Sequence, residues 1–335
     1  MSTITILVVG ATGQQGGSVL TELSRQLSSI TTTTTATPEP EAKIKPKVKV
    51  LALTRSASSA KAQALPSKYP SLDLRVVEGD ARDPEPIFQQ HPDIRAVFSY
   101  TTPPDEEPQA TRLVDAARAH ASSPEEPTHF VFSSVDRGGE LKSWDSPTNV
   151  PHFAQKHNVE VHLRRVAGAS GGMLTYTILR PVAFMDNLNP GGAFGMVFAS
   201  LWNTIPPTRK LQLVSVRDIG AFAAAALLRP TSARFRNRAV GLAGDELTLA
   251  EAREIYAGLS GGAALPQAWN VVGWAVRGLV ARDVGAMFRW FETDGYGVDI
   301  RALRDGQDEG EGEPKVQDLE TWLRESSKFE FEGKE

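Results

Sequence analysis

Ile4-Thr5-Ile6-Leu7-Val8-Val9-Gly10-Ala11-Thr12-Gly13-Gln14-Gln15-Gly16-Gly17 runs from an apolar, β-branched stretch into a glycine, then into glycines three apart, then into a helical pattern. An open α/β sheet builds a dinucleotide phosphate site in this order. Gly10 is expected to make the tight turn, and Gly13 to let the backbone approach a pyrophosphate. Gly16, which has no Cβ, lets the following helix pack close to the first strand. Val19, Leu20, Leu23 and Leu27 fall on one face of that helix, and its first N–H groups, which have no intrahelical acceptor, point at the phosphates. Thr12, Gln14 and Gln15 complete the expected loop contacts. A glycine-rich turn after a strand is by itself often only a turn, so the rest of the chain has to support the reading.

The bulk composition narrows the choices. A chain of 335 residues can bury a large core. Its formal net charge of -4 provides no sequence-wide basic field, so direct nucleic-acid binding is not expected. No apolar run reaches the ~18 residues of a membrane span, so no membrane association is expected. The longest candidates, Ala221 to Leu228 and Val271 to Val280, are short, and Arg277 interrupts the second. With a core strand a few residues from the start, the expected location is the cytoplasm, with the nucleus also open. The chain has no cysteine, which excludes disulfides, thiolate metal sites and a cysteine nucleophile.

Taken in order, Ser28 to Lys47 carries five consecutive threonines and a Pro/Glu/Lys-rich stretch, and is expected to be a mobile insertion between helix and strand. The second strand, Val48 to Leu53, ends in Thr54-Arg55-Ser56, with Lys61 close behind. An NAD site places a carboxylate at this strand end, and a guanidinium there instead matches a 2′-phosphate. Arg55 and Lys61 therefore favour NADP(H) as the cofactor. Past the third strand, Asp80 is placed to accept from the adenine amino group and Ala81 to pack near the ring. The fourth strand, Ile94 to Ser99, runs into Thr101 and Thr102, candidate ribose or phosphate contacts at a carboxyl end. The fifth, His129 to Phe132, stops at Ser133-Ser134. The sixth, Thr175 to Leu179, ends near Pro181, followed by Phe184 and Met185. Asn189 to Arg209 reads as a lid or substrate loop, Leu211 to Val216 and Arg238 to Leu242 as strands, and Thr248 with Glu251 as a capping box. From Ala268 to Phe291, aromatic residues recur on a helical pattern that reads as core.

This set of motifs resembles the NmrA-like family of atypical short-chain dehydrogenases. The likeness rests on Gly10 to Gly16 with its G-x-x-G-x-x-G spacing, Arg55, Glu78-Gly79-Asp80, Val131-Phe132-Ser133-Ser134-Val135, Val150-Pro151-His152-Phe153 with Lys156, Leu179-Arg180-Pro181 with Phe184-Met185, and Leu242-Ala243-Gly244-Asp245-Glu246 with Thr248. It runs from Ile4 to about Ala257. The resemblance implies an α/β fold, a Rossmann-type doubly wound parallel sheet (residues 1–188) with a smaller C-terminal α/β domain and lid (189–330), of which 211–240 partly returns to the Rossmann core. It also implies NADP(H) held by Ser133, Lys156, Pro181 and Phe184 besides the residues above, with Lys156, His152 and Ser134 as the catalytic set. Ordinary short-chain dehydrogenases carry a tyrosine four residues before the lysine, where this chain has His152. Two functions follow. One is an oxidoreductase acting on a small carbonyl or enone, with secondary metabolism as a setting; the other is an NADP/NADPH-sensing regulator that binds a transcription factor or other protein. No metal site is expected, since His152, His157 and His162 at spacing five spread around the helix. The oligomeric state stays open.

Overall fold

In the computed structural model, which describes residues 3–32, 47–190, 193–305 and 313–331, the opening apolar run forms β1 (Thr3–Val9) and the glycine-started pattern forms α1 (Gln14–Thr32). Val19, Leu20, Leu23 and Leu27 are buried on one face of α1, as the spacing requires. The helix continues to Thr32, past the expected boundary at Ser28, because a short Ser/Thr run is tolerated where a helix frays. Most of the expected mobile insertion, residues 33–46, lies outside the described residues.

The next elements alternate. They are β2 (Lys47–Thr54), α2 (Ala60–Gln63), α3 (Leu65–Lys68), β3 (Asp73–Glu78), α4 (Glu85–Gln90), β4 (Ile94–Tyr100), α5 (Glu106–Ala119), β5 (Thr128–Ser133), α6 (Glu140–Asp145), α7 (Pro151–Gly168) and β6 (Leu174–Pro181). The strands pair in parallel, β1 with both β2 and β4, β2 with β3, β4 with β5, and β5 with β6. Interior strands of a sheet covered on both faces are buried on both, and β2, β4, β5 and β6 are correspondingly buried at nearly every position. The chain reverses direction across the sheet between β1 and β4, the topological switch point where such folds open their ligand crevice. This is a Rossmann-like α/β fold.

Further along lie β7 (Ala183–Phe184), α8 (Ala193–Trp202), β8 (Leu211–Val214), α9 (Val216–Leu228), β9 (Arg238–Leu242), β10 (Asp245–Leu247) and α10 (Leu249–Leu259). They are followed by α11 (Asn270–Leu279), α12 (Ala286–Thr293), α13 (Ile300–Asp305) and α14 (Leu319–Glu325). Strand β9 completes a seven-stranded sheet in the order β3-β2-β1-β4-β5-β6-β9, and a separate sheet runs β10-β8-β7. The chain divides into two compact units: Met1–Ser133, Val159–Leu179 and Ile219–Val240 in the first, and Ser134–Asn158, Arg180–Asp218 and Gly241–Glu335 in the second.

In the second unit the expected lid between Asn189 and Arg209 contains α8, a helix whose described residues include the buried Phe198, Leu201 and Trp202. It joins a core with Phe153, Phe288 and Trp322. The aromatic stretch from Ala268 is split between two environments. Phe288, Trp290 and Phe291 are buried, whereas Trp269 and Trp274 are exposed. The capping box is present, with the Thr248 hydroxyl accepting from the Glu251 N–H and the Glu251 carboxylate accepting from the Thr248 N–H. Among the described residues no helix is long and apolar enough to cross a membrane, and no cluster of His, Asp and Glu has metal-ligand geometry.

Candidate dinucleotide site

At the carboxyl ends of β1 to β4, within the first unit, lies a cavity of ≈ 700 Å³. Gly10, Thr12, Gly13, Arg55, Asp80, Ala81 and Thr102 line it, together with Ser56, Arg82, Tyr100 and Gln109. Its floor is backbone. The Ala11 N–H donates to the Leu53 carbonyl at 3.2 Å, and the Gly79 N–H to the Thr54 carbonyl at 3.0 Å, so the loops after β1, β2 and β3 are knitted at one level. Gly10 has φ +62°, a left-handed conformation that glycine adopts without steric cost, and its carbonyl accepts the Gly13 N–H at 2.9 Å. A Cβ on Gly16 would overlap the Gly10 carbonyl, which is the close helix-to-strand approach expected of it. Gln14, Gln15 and Gly16 begin α1, where the first-turn N–H groups have no intrahelical acceptor.

The loop carrying Arg55 is fixed from below. The Glu78 carboxylate accepts the Ala57 N–H at 2.8 Å, and the Thr54 hydroxyl accepts the Ser56 N–H at 3.3 Å. Arg55 itself is exposed on the cavity edge. Arg82, in the loop after β3, approaches from the other side and donates to the Pro104 carbonyl at 3.2 Å. Asp80 accepts the Arg82 N–H at 2.9 Å, so its carboxylate organises the loop that presents Arg82. Two guanidinium groups and a set of hydroxyls around a glycine turn form a donor set suited to a phosphorylated ligand, and the residues present fit a dinucleotide.

Tyr100 was not anticipated. It is the last residue of β4, and its ring lies on the glycine turn, with the hydroxyl 2.5 Å from where a Cβ on either Gly10 or Gly13 would stand. Burial pushes the phenol pKa up, opposed by the nearby Arg55 charge. The readable signal was positional, because the last residue of a parallel strand opens into the crevice. Arg82 had a similar signal, two residues past Asp80 in a crevice loop.

Of the expected cofactor contacts in the first unit, Gln14, Gln15, Gly16, Lys61, Thr101 and Ser133 do not line the cavity. The Thr101 side chain is buried and donates to the Glu106 carboxylate at 2.5 Å, while Lys61 is exposed on α2. Thr102 lines the cavity, with its backbone bonded on both sides to the Gln109 side chain at 3.2 and 2.7 Å. Ser133 ends β5 as a buried residue whose hydroxyl has no hydrogen-bond partner among the described residues.

The remaining candidates belong to the second unit. His152 and Lys156 stand one turn apart on α7, both half-buried, with the His152 ring edge-on to Phe153 at 4.6 Å. His157 points elsewhere, to the Trp144 carbonyl at 3.0 Å, and His162 pairs with Asp115 at 2.7 Å in the first unit. Ser134 is buried and accepts from Arg137 at 3.5 Å. The loop behind it is held by the buried Asp136, which accepts the N–H groups of Gly138, Gly139 and Gly297 at 3.0, 3.1 and 2.8 Å. Pro181 is buried and its carbonyl accepts the Asp136 N–H at 3.0 Å. Phe184, half-buried in β7, pairs in register with Val214.

Comparison with known proteins gives a consistent family. No curated protein matches the sequence. Among solved structures, the NADPH-dependent quinone oxidoreductase QOR2 of Escherichia coli, complexed with NADPH, superposes with TM-score 0.62 at 19% identity over 95% of this chain and 97% of that one. NmrA, a negative transcriptional regulator in complex with NADP, gives 0.64 at 17% identity over 98% and 96%. The Citrobacter sp. triphenylmethane reductase complexed with NADP(H) gives 0.60 at 18% identity over 95% and 98%. The sequence model of the NmrA-like family matches residues 2–300, and the chain belongs to that family.

Proposed function

We propose that this protein binds NADP(H) in the cavity of its first unit and uses it to reduce a small carbonyl or enone substrate. The observation that carries the cofactor is the placing of Arg55 and Arg82 on the same cavity as the glycine turn. A guanidinium meets a phosphate with paired N–H donors, and no NAD-type carboxylate stands at the end of β2 to repel a 2′-phosphate. The bound dinucleotide supplies the hydride. The proposed catalytic set is His152 as proton donor near neutral pH, Lys156 as donor to the cofactor ribose, and Ser134 as hydrogen-bond donor to the substrate oxygen. The proposed compartment is the cytoplasm.

Purified protein given NADPH and a panel of quinones, enones and aromatic ketones tests this directly. Turnover that falls on Lys156→Ala and His152→Ala supports the reading, and no NADPH oxidation across the panel counts against it. One observation favours a second reading. His152 replaces the usual proton-donating tyrosine, which leaves a protein that holds the dinucleotide and reports its redox state to a regulatory partner. Such a sensor must distinguish NADP from NADPH, because a ligand that binds two states equally shifts neither. A partner pulled down from lysate in proportion to the NADP/NADPH ratio, without turnover, would favour this reading.

A further inference from the structure

Most large apolar side chains left exposed among the described residues crowd into one short segment. Trp269 is 83% exposed, Val271 65%, Trp274 57%, Leu279 86% and Val280 44%, all on or beside α11. Val271, Trp274, Ala275, Gly278 and Leu279 follow the i, i+3, i+4, i+7, i+8 pattern by which a helix faces a core. None of them carries a charge, and that face is turned to solvent.

The helix is held so that this face stays out. A Cβ on Gly273, on the opposite side, would overlap the Ser200 carbonyl, so α11 lies backbone to backbone on α8. Ser200 donates to the Ala268 carbonyl at 2.8 Å at the start of the helix. Arg277 makes two bonds to the Glu292 carboxylate, of 2.7 and 2.9 Å, and a third to the Thr204 carbonyl at 3.1 Å. Rolling the apolar stripe inward would break all of these.

We infer that this face is a two-fold interface with a second copy of the chain, α11 against α11. Taking ~150–250 Å² for a whole tryptophan, less for each aliphatic side chain, and scaling by the exposed fractions, the apolar side chains on and beside α11 offer roughly 500 Å² of surface. Two copies bring together about 1,000 Å², where specific interfaces begin, and one such stripe is large for a monomer. The stripe is also self-complementary. An antiparallel pairing with Ala275 on the axis sets Val271 of one copy opposite Leu279 of the other, twice, and no bulky side chain at the crossing point keeps the helices apart. A lipid surface fits less well, since membrane-surface helices ring their apolar face with Lys and Arg. The one charged residue of α11, Arg277, is committed to Glu292, and Arg282 and Asp283 beyond its end offset each other.

Sedimentation velocity of the full chain across about 1 to 100 µM tests the proposal, the range in which an interface of this size is expected to dissociate. Wild type is expected to move from monomer to dimer across the series. Leu279→Glu and Val271→Lys each raise the dissociation constant at least about tenfold, with the far-UV circular dichroism unchanged because both side chains are exposed. An equimolar mixture of the two variants regains a dimer, because their opposite charges face each other across the axis. Wild type that stays monomeric throughout would overturn the inference, as would Leu279→Glu dimerising as tightly as wild type. Monomeric wild type that co-sediments with phosphatidylcholine–phosphatidylserine vesicles would overturn it in favour of lipid.

Discussion

Replacing Gly13 with alanine places a methyl group 2.5 Å from the Tyr100 hydroxyl and 3.2 Å from the Gly10 carbonyl oxygen. Non-bonded heavy atoms rest at about 3.5 Å or more, so the phenol has to retreat by about 1 Å. Behind it stands Phe98, fully buried, with the two ring centroids 6.3 Å apart. Overpacking of this kind costs about 1–3 kcal/mol. Against it, alanine gains about 0.4–1 kcal/mol by restricting the unfolded chain, because Gly13 does not need a left-handed φ. The expected net loss is about 1–2 kcal/mol.

Tyr100→Phe should remove most of that loss. Without the oxygen, the nearest ring atom to the new methyl is Cζ at 3.6 Å, an ordinary contact. The hydroxyl has no hydrogen-bond partner among the described residues, so Tyr100→Phe alone should shift stability by no more than about 0.5 kcal/mol. Gly10→Ala is the control. Its methyl meets ring atoms Cε1 and Cζ at 2.7 and 2.8 Å and its φ is +62°, so removing the hydroxyl cannot rescue it. Urea unfolding of the four-member cycle, followed by far-UV circular dichroism, should show a coupling of about 1–2 kcal/mol between positions 13 and 100. Additivity within about 0.5 kcal/mol, or rescue of Gly10→Ala by Tyr100→Phe, would refute the reasoning.

Other consequences are more local. Arg55→Ala and Arg82→Ala should each weaken NADPH binding at least about tenfold, or 1.4 kcal/mol, while leaving NADH affinity nearly unchanged, as read by isothermal calorimetry. His129 is buried between the Thr175 and Thr177 hydroxyls, and burial holds its pKa down at about 3. Below its usual value of 6.5 the unfolded chain takes up a proton that the folded chain refuses, so stability falls as the pH drops from 6.5 towards 3. About 2 kcal/mol should be lost by pH 5, and His129→Gln should flatten that slope in urea titrations at pH 7.5 and 5. Thr248→Ala removes the hydroxyl that accepts the Glu251 N–H, one half of the capping box, and should cost about 1 kcal/mol, visible as a lower urea midpoint.

Local signals were enough for the first unit. β1, β2, β4, β5 and β6 each sit within a residue or two of the expected strand, because the interior strands of a sheet covered on both faces are buried on both and cannot blend into polar loops. The second unit was harder for a physical reason. Leu211 to Val214 is buried at every position, so nothing local says whether it joins the large sheet or, as it does, pairs with β7 and β10. The segment from Asn189 is apolar with glycines and prolines at its ends, which hid α8 behind loop punctuation. Trp269, Trp274 and Trp290 are chemically alike at helical spacing, and only tertiary packing against α8 decides which face turns outward. The cavity was legible as a set of loops, but the hydrogen bonds that commit Thr101 to Glu106 and Asp80 to Arg82 were not, since they depend on where loops meet.

The glycine turn now carries a different weight from the one its spacing suggested. Gly16 is required by the Gly10 carbonyl, Gly10 by its own φ and by the Tyr100 ring, and Gly13 by the Tyr100 hydroxyl. All three are favoured by the packing of this loop even if no phosphate ever approached it. The spacing therefore establishes a tight strand-to-helix packing, and the case for a dinucleotide passes to groups that folding does not explain. Arg55 is the clearest of these, because it stands exposed on the cavity edge while Glu78 and Thr54 fix the backbone of the loop that carries it. Holding that loop so firmly around an exposed guanidinium serves no packing purpose, and the proposed phosphate contact rests on that cation.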